Sequence, residues 1–340
     1  MDGGNRLILI DAYSQIFRAF YAIRMLNNSR GEPVNAVYVF IKLLLKLEKL
    51  YPCRRGAMLF DCGKVGFRLA LAPDYKANRP PMPDALKAQM PLIRSVASAF
   101  GWPLLQHEGY EADDLIGAIA LAENDSPVHI VSSDKDLSQL IDRRVTMLVP
   151  QNGNSGSFEE RTVEKVQEKF GVAPELMVDY LALLGDASDN IPGVPGIGPK
   201  SAVELLNTYG CAAGWLDEPD KLRDSKFYRK LDGNWDVLRK NRELIRLKTE
   251  LPEEFSDLDN ILIRKDIDWA AVRAICVDNQ FNSILKELPE PEEAQVPEED
   301  FPEMELPLFA RKAPEVPEKT VEPENSSGGE SSKPFQMELF

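Results

Sequence analysis

Histidine is scarce in this chain. Only His107 and His129 occur among 340 residues, which leaves little for histidine-based catalysis or a histidine-rich zinc site. Cysteine is scarce as well. Cys53, Cys62, Cys211 and Cys276 lie far apart, with neither the close pairing of a zinc site nor the density of a disulfide framework. They read as reduced thiols of a cytosolic protein. Long apolar runs are missing. "LILI" at 7–10 is cut off by Asp11, too short for a secretory signal, and nothing approaches the roughly 20 residues that span a bilayer. No glycine-rich phosphate loop follows this first apolar run. That argues against a nucleotide-binding α/β enzyme, because an acid stands where phosphate would need amides. These absences predict a cytoplasmic protein with no membrane partner.

Positive charge is also in deficit, the formal net charge being −15, which is unfavourable at first sight for a nucleic-acid partner. The deficit is concentrated at one end. Residues 289–340 carry fourteen Asp or Glu against four Lys or Arg. The body is much closer to neutral and leaves room for a basic face, provided its acids gather elsewhere.

What is present is an apolar share of 44%, enough for a core, and a length that suits two domains and a tail. "RLILID" (6–11), "AMLFD" (57–61) and "VHIVSSD" (128–134) are short apolar strands that each close on an Asp. Helical patterns over 14–24, 36–50 and 111–123 lie between them. The alternation predicts an α/β fold with a mainly parallel central sheet flanked by helices. Ligands of such sheets bind at the carboxyl ends of the strands, where Asp11, Asp61 and Asp134 fall. Residues 62–100 interrupt the alternation, and a long insertion at the active edge reads as an arch at about 66–100. The chain thus divides into an α/β core over 1–160, a helical region over 161–288 and a Pro/Glu-rich tail over 289–340, whose composition predicts disorder until a partner is met.

The carboxylates carry the chemistry. "GYEADDLIG" (109–117) sets Glu111, Asp113 and Asp114 at a helix start, more acid than a cap needs. Glu111 and Asp114, three apart, share a helix face. Asp134 and Asp136 sit in "SSDKDLSQL", and Asp186 and Asp189 in "GDASDN". Singly, Asp134 reads as a helix cap, Asp186 and Asp189 as turn residues, and Glu111 as a first-turn charge. With Asp11 and Asp61 they form a set of nine. Nine like charges in one cleft cannot all ionise without cations. An oxygen-only set points to Mg²⁺ or Mn²⁺, and two such ions can activate a water and stabilise the leaving oxygen of a phosphodiester.

Seven stretches then carry a resemblance: "LILIDAYSQIFRAFYA", "RGEPVNAVYVF", "FDCGKVGFR", "DYKANRPPMP", "GYEADDLIG", "SSDKDLSQL" and "LLGDASDNIPGVPGIGPKSA". Over about residues 6–288 the sequence resembles the bacterial 5′ nuclease family, which includes the N-terminal exonuclease domain of DNA polymerase I and the flap endonucleases. The resemblance implies a PIN-like 5′ nuclease fold with a helical arch. It implies a structure-specific 5′–3′ exonuclease and 5′-flap endonuclease, serving RNA-primer removal and DNA repair. Asp11, Asp61, Glu111, Asp113 and Asp114 would hold a first ion, and Asp134, Asp136, Asp186 and Asp189 a second. Lys76 and Arg79 would be catalytic cations at the arch base, Tyr75 would stack on a terminal base, and Arg68 would contact DNA. "GVPGIGPKSA" reads as a helix-hairpin-helix element, with Gly193, Gly196 and Gly198 letting the backbone approach duplex phosphates and Lys200 adding a contact. A monovalent cation such as K⁺ at that turn is implied by the resemblance alone. Ala12 and Tyr13 stand where relatives carry glycine after the first Asp, a departure that removes no ligand. DNA with 5′ ends, flaps or nicks is the implied partner of a monomeric enzyme. The alternative, a non-catalytic DNA-junction binder on the same fold, would have lost site carboxylates, and none is missing.

The chain ends "PFQMELF". Gln336, Met337, Leu339 and Phe340 resemble the bacterial sliding-clamp-binding pentapeptide, in which an acidic leash carries apolar anchors to a partner's groove. "ELPLF" (305–309) is either a second, weaker anchor or a segment packed on the body. No polymerase segment follows residue 288, so a nuclease working beside a separate polymerase is expected.

Overall fold

The structure is a computed structural model and describes residues 5–63, 66–151 and 157–290. The clamp-like segment with Gln336, Met337, Leu339 and Phe340, and the stretch 305–309, lie outside the described residues.

Five parallel strands make the centre: β1 (Leu7–Asp11), β2 (Arg55–Leu59), β3 (Leu104–Leu105), β4 (Val128–Val131) and β5 (Val145–Pro150). An antiparallel β6 (Phe158–Arg161) closes one edge, and the order is β3-β2-β1-β4-β5-β6. Central β1 registers Leu9 against Ala57 on one side and Ile130 on the other. Parallel strands covered on both faces read as unbroken apolar runs, and Leu7 through Ile10 are all fully buried. Successive side chains point to opposite faces, so Leu7 and Leu9 enter one apolar layer while Ile8 and Ile10 enter the other.

The first half adds α1 (Ala12–Ala22), α2 (Asn35–Leu50), α3 (Gly66–Leu71), α4 (Asp84–Lys87), α5 (Met90–Ala99) and α6 (Ala112–Ala122). The second adds α7 (Val163–Phe170), α8 (Met177–Leu184), α9 (Pro199–Tyr209), α10 (Ala212–Asp217), α11 (Tyr228–Leu231), α12 (Trp235–Ile245), α13 (Leu258–Ile261), α14 (Trp269–Asp278) and α15 (Asn282–Leu285). Helices α1, α2, α5 and α14 pack on the Ile8/Ile10 face. Helices α6, α8, α9 and α12 pack on the Leu7/Leu9 face, so the C-terminal helices share one continuous core with the sheet. Helix α5 belongs to the core rather than to an arch: Ile93, Val96 and Ala97 form a buried stripe at helical spacing. Among the described residues no helix is long and apolar enough to cross a membrane.

From β1 the chain visits β2 and β3 on one side, then returns to place β4 and β5 on the other. The reversal between β1 and β4 is the point where such sheets open a crevice at their carboxyl ends. Beyond α8 a short antiparallel pair, β7 (Gly185–Asp186) with β8 (Ile191–Pro192), folds "GDASDN" into a hairpin. Gly185 takes φ +73°, and a Cβ there would lie 2.3 Å from the Gly193 nitrogen; one on Gly193 would lie 2.2 Å from the Leu184 oxygen. Both glycines are required by this back-to-back packing.

Candidate active site

Asp11, the last residue of β1, caps α1. Its Oδ1 accepts from the Ser14 amide at 3.1 Å, and its Oδ2 accepts from the hydroxyl of Ser132, the first residue after β4, at 2.8 Å. The carboxylate thus bridges the two strands that flank the crevice. Burial drives its pKa up, the Ser14 amide opposes this, and the neighbouring Asp134 charge adds to the rise, which reaches about 7. Asp61, two residues past β2, accepts from the Ala112 amide at 2.8 Å in the first turn of α6. Two positive helix ends therefore face the acidic rim.

At the α6 N-terminus the acids divide. Asp114 is fully buried, and both its oxygens bind the Arg68 guanidinium at 2.7 Å. The Glu111 and Lys248 amides also donate to it, at 3.1 and 2.8 Å. With both oxygens engaged, Asp114 is a strut rather than an open ligand. Arg68 is only 2% exposed and also reaches Glu111 at 2.9 Å and the Leu244 carbonyl at 3.0 Å. No DNA phosphate can reach it; it fixes α3 to α6 and α12. The Asp113 side chain makes no hydrogen bond among the described residues. Burial pushes its pKa well above the usual range, with Lys76 opposing and Glu111, Asp134 and Asp61 adding repulsion.

The remaining acids form a second cluster. Burial raises the pKa of Asp134, and the nearby Asp189 and Asp186 charges contribute. Burial, then repulsion from Asp134, Asp189 and Asp186, raises Asp136 to about 8. One Asp136 oxygen, Oδ1, is buried with no hydrogen-bond partner. Asp186 moves the other way: burial alone would raise it, but hydrogen bonds from Ser188 and Lys135 hold it below the usual value.

Cations sit among these acids. Lys76 Nζ lies 2.7 Å from Glu111 and 4.0 Å from Asp189, Arg79 pairs with Asp189, and Lys135 Nζ lies 2.9 Å from Asp186. Tyr75 is buried, and its hydroxyl donates to Glu111 at 3.1 Å and to Asp189 at 3.3 Å. Its ring is therefore in the core, not placed for stacking on a base. A cleft of about 550 Å³ opens over the second cluster, lined by Arg79, Asp134, Asp136, Asp186, Asp189 and residues of α1. Among the described residues no three His, Cys, Asp or Glu side chains form a ready metal cage. The donor set nevertheless fits hard divalent cations: it is all oxygen, its acids repel one another, and Asp136 Oδ1 lacks a partner.

Helices α8 and α9 flank the glycine-rich turn. Gly196 (φ +75°) and Gly198 are exposed, Gly198 caps α9, and a Cβ on Gly198 would meet nothing within 4 Å. The Gly196 carbonyl accepts from Lys230 Nζ at 2.8 Å, and Lys200 is exposed. Gly193 serves the β7–β8 packing instead.

Sequence reasoning missed Ser14, Ser132, Ser188 and Lys135. Lys135 left the clearest trace, a lone base between Asp134 and Asp136 directly after a strand.

Residues 6–171 match the family described as 5′-3′ exonuclease, N-terminal resolvase-like domain, and residues 172–268 match 5′-3′ exonuclease, C-terminal SAM fold. A 5′-3′ exonuclease of Aquifex aeolicus (strain VF5) is 36% identical over 285 residues, 83% of this chain and 94% of that protein. DNA polymerase I of Bacillus caldotenax is 37% identical over 289 residues, 84% of this chain and 33% of that protein. DNA polymerase I of Pseudomonas aeruginosa is 46% identical over 206 residues, 60% of this chain and 22% of that protein. The chain thus spans a third or less of the length of these polymerases. A bacteriophage T5 flap endonuclease, solved as a pseudo-enzyme–product complex with DNA and metal ions, shares the fold. Its TM-score is 0.56 at 23% identity, covering 83% of this chain and 98% of that one. The catalytic core of Rad2 with DNA substrate shares it too, with a TM-score of 0.56 at 15% identity, covering 84% and 92%.

Proposed function

Because the chain belongs to the 5′-3′ exonuclease family, we propose that its acidic rim hydrolyses DNA phosphodiesters at 5′ ends, nicks and 5′ flaps as a structure-specific 5′ nuclease. One observation carries this: acids from distant parts of the chain gather at the carboxyl ends of β1, β2 and β4, where burial, with their mutual repulsion adding to it, raises Asp11, Asp113, Asp134 and Asp136. When bound, two Mg²⁺ or Mn²⁺ ions supply an activated water and stabilise the attacking and leaving oxygens. Asp11, Asp61, Glu111 and Asp113 would hold one, and Asp134, Asp136, Asp186 and Asp189 the other. Asp114 and Arg68 keep Glu111 in place. Lys76 and Arg79, on the segment over the rim, donate to the scissile phosphate as its charge grows. Ser132 and Ser14 orient Asp11.

The turn at Gly196 and Gly198, with Lys200, grips duplex phosphates without reading sequence. A monovalent cation such as K⁺ would join that turn, where the Gly196 carbonyl accepts from Lys230 Nζ. The protein therefore selects junction shape. We place it as a cytoplasmic monomer in primer removal and DNA repair, tethered to a sliding clamp through Gln336, Met337, Leu339 and Phe340. The decisive test is cleavage of a 5′-flap duplex with Mg²⁺, with and without EDTA, beside an Asp134→Ala/Asp186→Ala double variant. EDTA should abolish cutting and the variant should cut far more slowly; equal cutting by the variant refutes the second-ion assignment.

A further inference from the structure

Three basic side chains of the rim are paired with carboxylates: Lys76, mostly covered, with Glu111, and the half-exposed Arg79 and Lys135 with Asp189 and Asp186. Two of them ride on a segment that is stitched to the β7–β8 hairpin by backbone as well as by charge. The Lys76 amide donates to the Asp189 carbonyl at 3.0 Å. Asn78 donates to the Ala187 carbonyl at 2.6 Å, and Asn190 to the Asp74 carbonyl at 2.8 Å. Lys76 takes φ +57°, a left-handed conformation unfavourable for a residue bearing a Cβ, and Asn190 at the other end takes φ +59°, which asparagine tolerates. Such strain persists only where surrounding contacts over-determine it.

Resting on the metal-dependent reading above, we infer that Lys76, Arg79 and Lys135 are the built-in counter-ions of the ion-free site. Divalent cations bind by exchange with them, and the exchange frees residues 74–79 from the 186–190 hairpin. A cation that takes Glu111 or Asp189 competes with an ammonium or guanidinium for the same oxygens. Each basic group displaced is then free to face a phosphate. Arg68 also pairs with Glu111 at 2.9 Å, but it is 2% exposed and bound through both nitrogens to the fully buried Asp114, so it stays in place during the exchange. The coupling is reciprocal, so whatever holds Lys76 on Glu111 weakens ion binding by the same factor.

The test uses the full chain without DNA, at constant ionic strength. Saturating Mg²⁺ should speed amide hydrogen exchange at Lys76, whose bond to Asp189 is released. Lys76→Met should tighten Mn²⁺ binding, followed by electron paramagnetic resonance, roughly tenfold. Lys87→Met, which removes a lysine paired with Asp84 away from the rim, should leave it unchanged. Exchange at 74–79 that Mg²⁺ leaves unaltered or slows would overturn the inference, as would Mn²⁺ affinity of the Lys76 variant equal to or weaker than wild type. If that variant does not fold, the exchange measurement on the wild type decides alone. Flap cleavage by the wild type separates the two ideas: intact Mg²⁺-dependent cutting with unaltered exchange removes only the counter-ion swap, whereas no cutting removes the nuclease reading itself.

Discussion

Removing the Arg68 guanidinium should destabilise the protein before it touches DNA binding. Arg68→Met leaves Asp114 fully buried with a charge that only the Glu111 and Lys248 amides still meet. Breaking a buried ion pair by deleting one partner costs about 3–5 kcal/mol. The lost bond to the Leu244 carbonyl puts the expectation in the middle of that range, about 4 kcal/mol. For a body this large, about 2 °C of melting temperature goes with each kcal/mol, so calorimetry in EDTA should show a fall of about 8 °C. A double variant, Arg68→Met with Asp114→Asn, removes both charges and should recover roughly 2 kcal/mol relative to the summed single effects. An Arg68→Met protein that melts like wild type yet binds flap DNA more weakly would refute this reasoning and return Arg68 to the nucleic-acid surface.

Three further outcomes are expected. Asp11 and Asp136 carry folded pKa values of about 7 and about 8, above the ordinary 3.8. The folded protein then holds protons that the unfolded chain has lost. This contribution is fully present below about pH 4 and disappears as pH rises through 7 to 8. Melting temperature in EDTA should therefore fall between pH 5 and 8.5, and saturating Mg²⁺ should flatten the slope; a profile in EDTA that rises over this window would contradict the assigned environments. Lys200→Ala should weaken duplex binding for all sequences alike and reduce the slope of log affinity against log salt by about 1; an unchanged slope would remove Lys200 from the interface. Deleting residues 336–340 should abolish binding to a purified bacterial sliding clamp while flap cleavage continues, and undiminished clamp affinity would end the tether proposal.

Much of this was legible because burial on both faces leaves a plain trace. "LILI" had to be a covered parallel strand, and the terminal Asp of "RLILID", "AMLFD" and "VHIVSSD" marked the rim. Strand β6 was not legible: "FEER" is an edge strand with little apolar content, so no periodicity announces it. Strand β5 was missed for the want of a closing Asp to single it out. Arg68 and Tyr75 were misread because a charged or aromatic residue beside a family motif looks available to DNA. Their partners lie at Glu111, Asp114 and Asp189, separations that no local pattern encodes. The partner of Asp114 was hidden for the same reason: its spacing matches that of a ligand, and only the fold reveals Arg68 against it. The role of Gly193 was hidden because close approach to a phosphate and close approach to a carbonyl select the same residue.

The interlocked glycines of the β7–β8 hairpin have a consequence for where a cut would fall. Asp189 and Gly196 are separated by a span whose base leaves no room even for a methyl group. On the proposed function, the grip on the duplex and the blade that severs it are thus joined by a stiff strut, and the backbone itself acts as a gauge of position along the strand. An alanine at Gly185 or Gly193 would displace the hairpin that carries Asp186 and Asp189, and so move the scissile position relative to the junction as well as slow the cut.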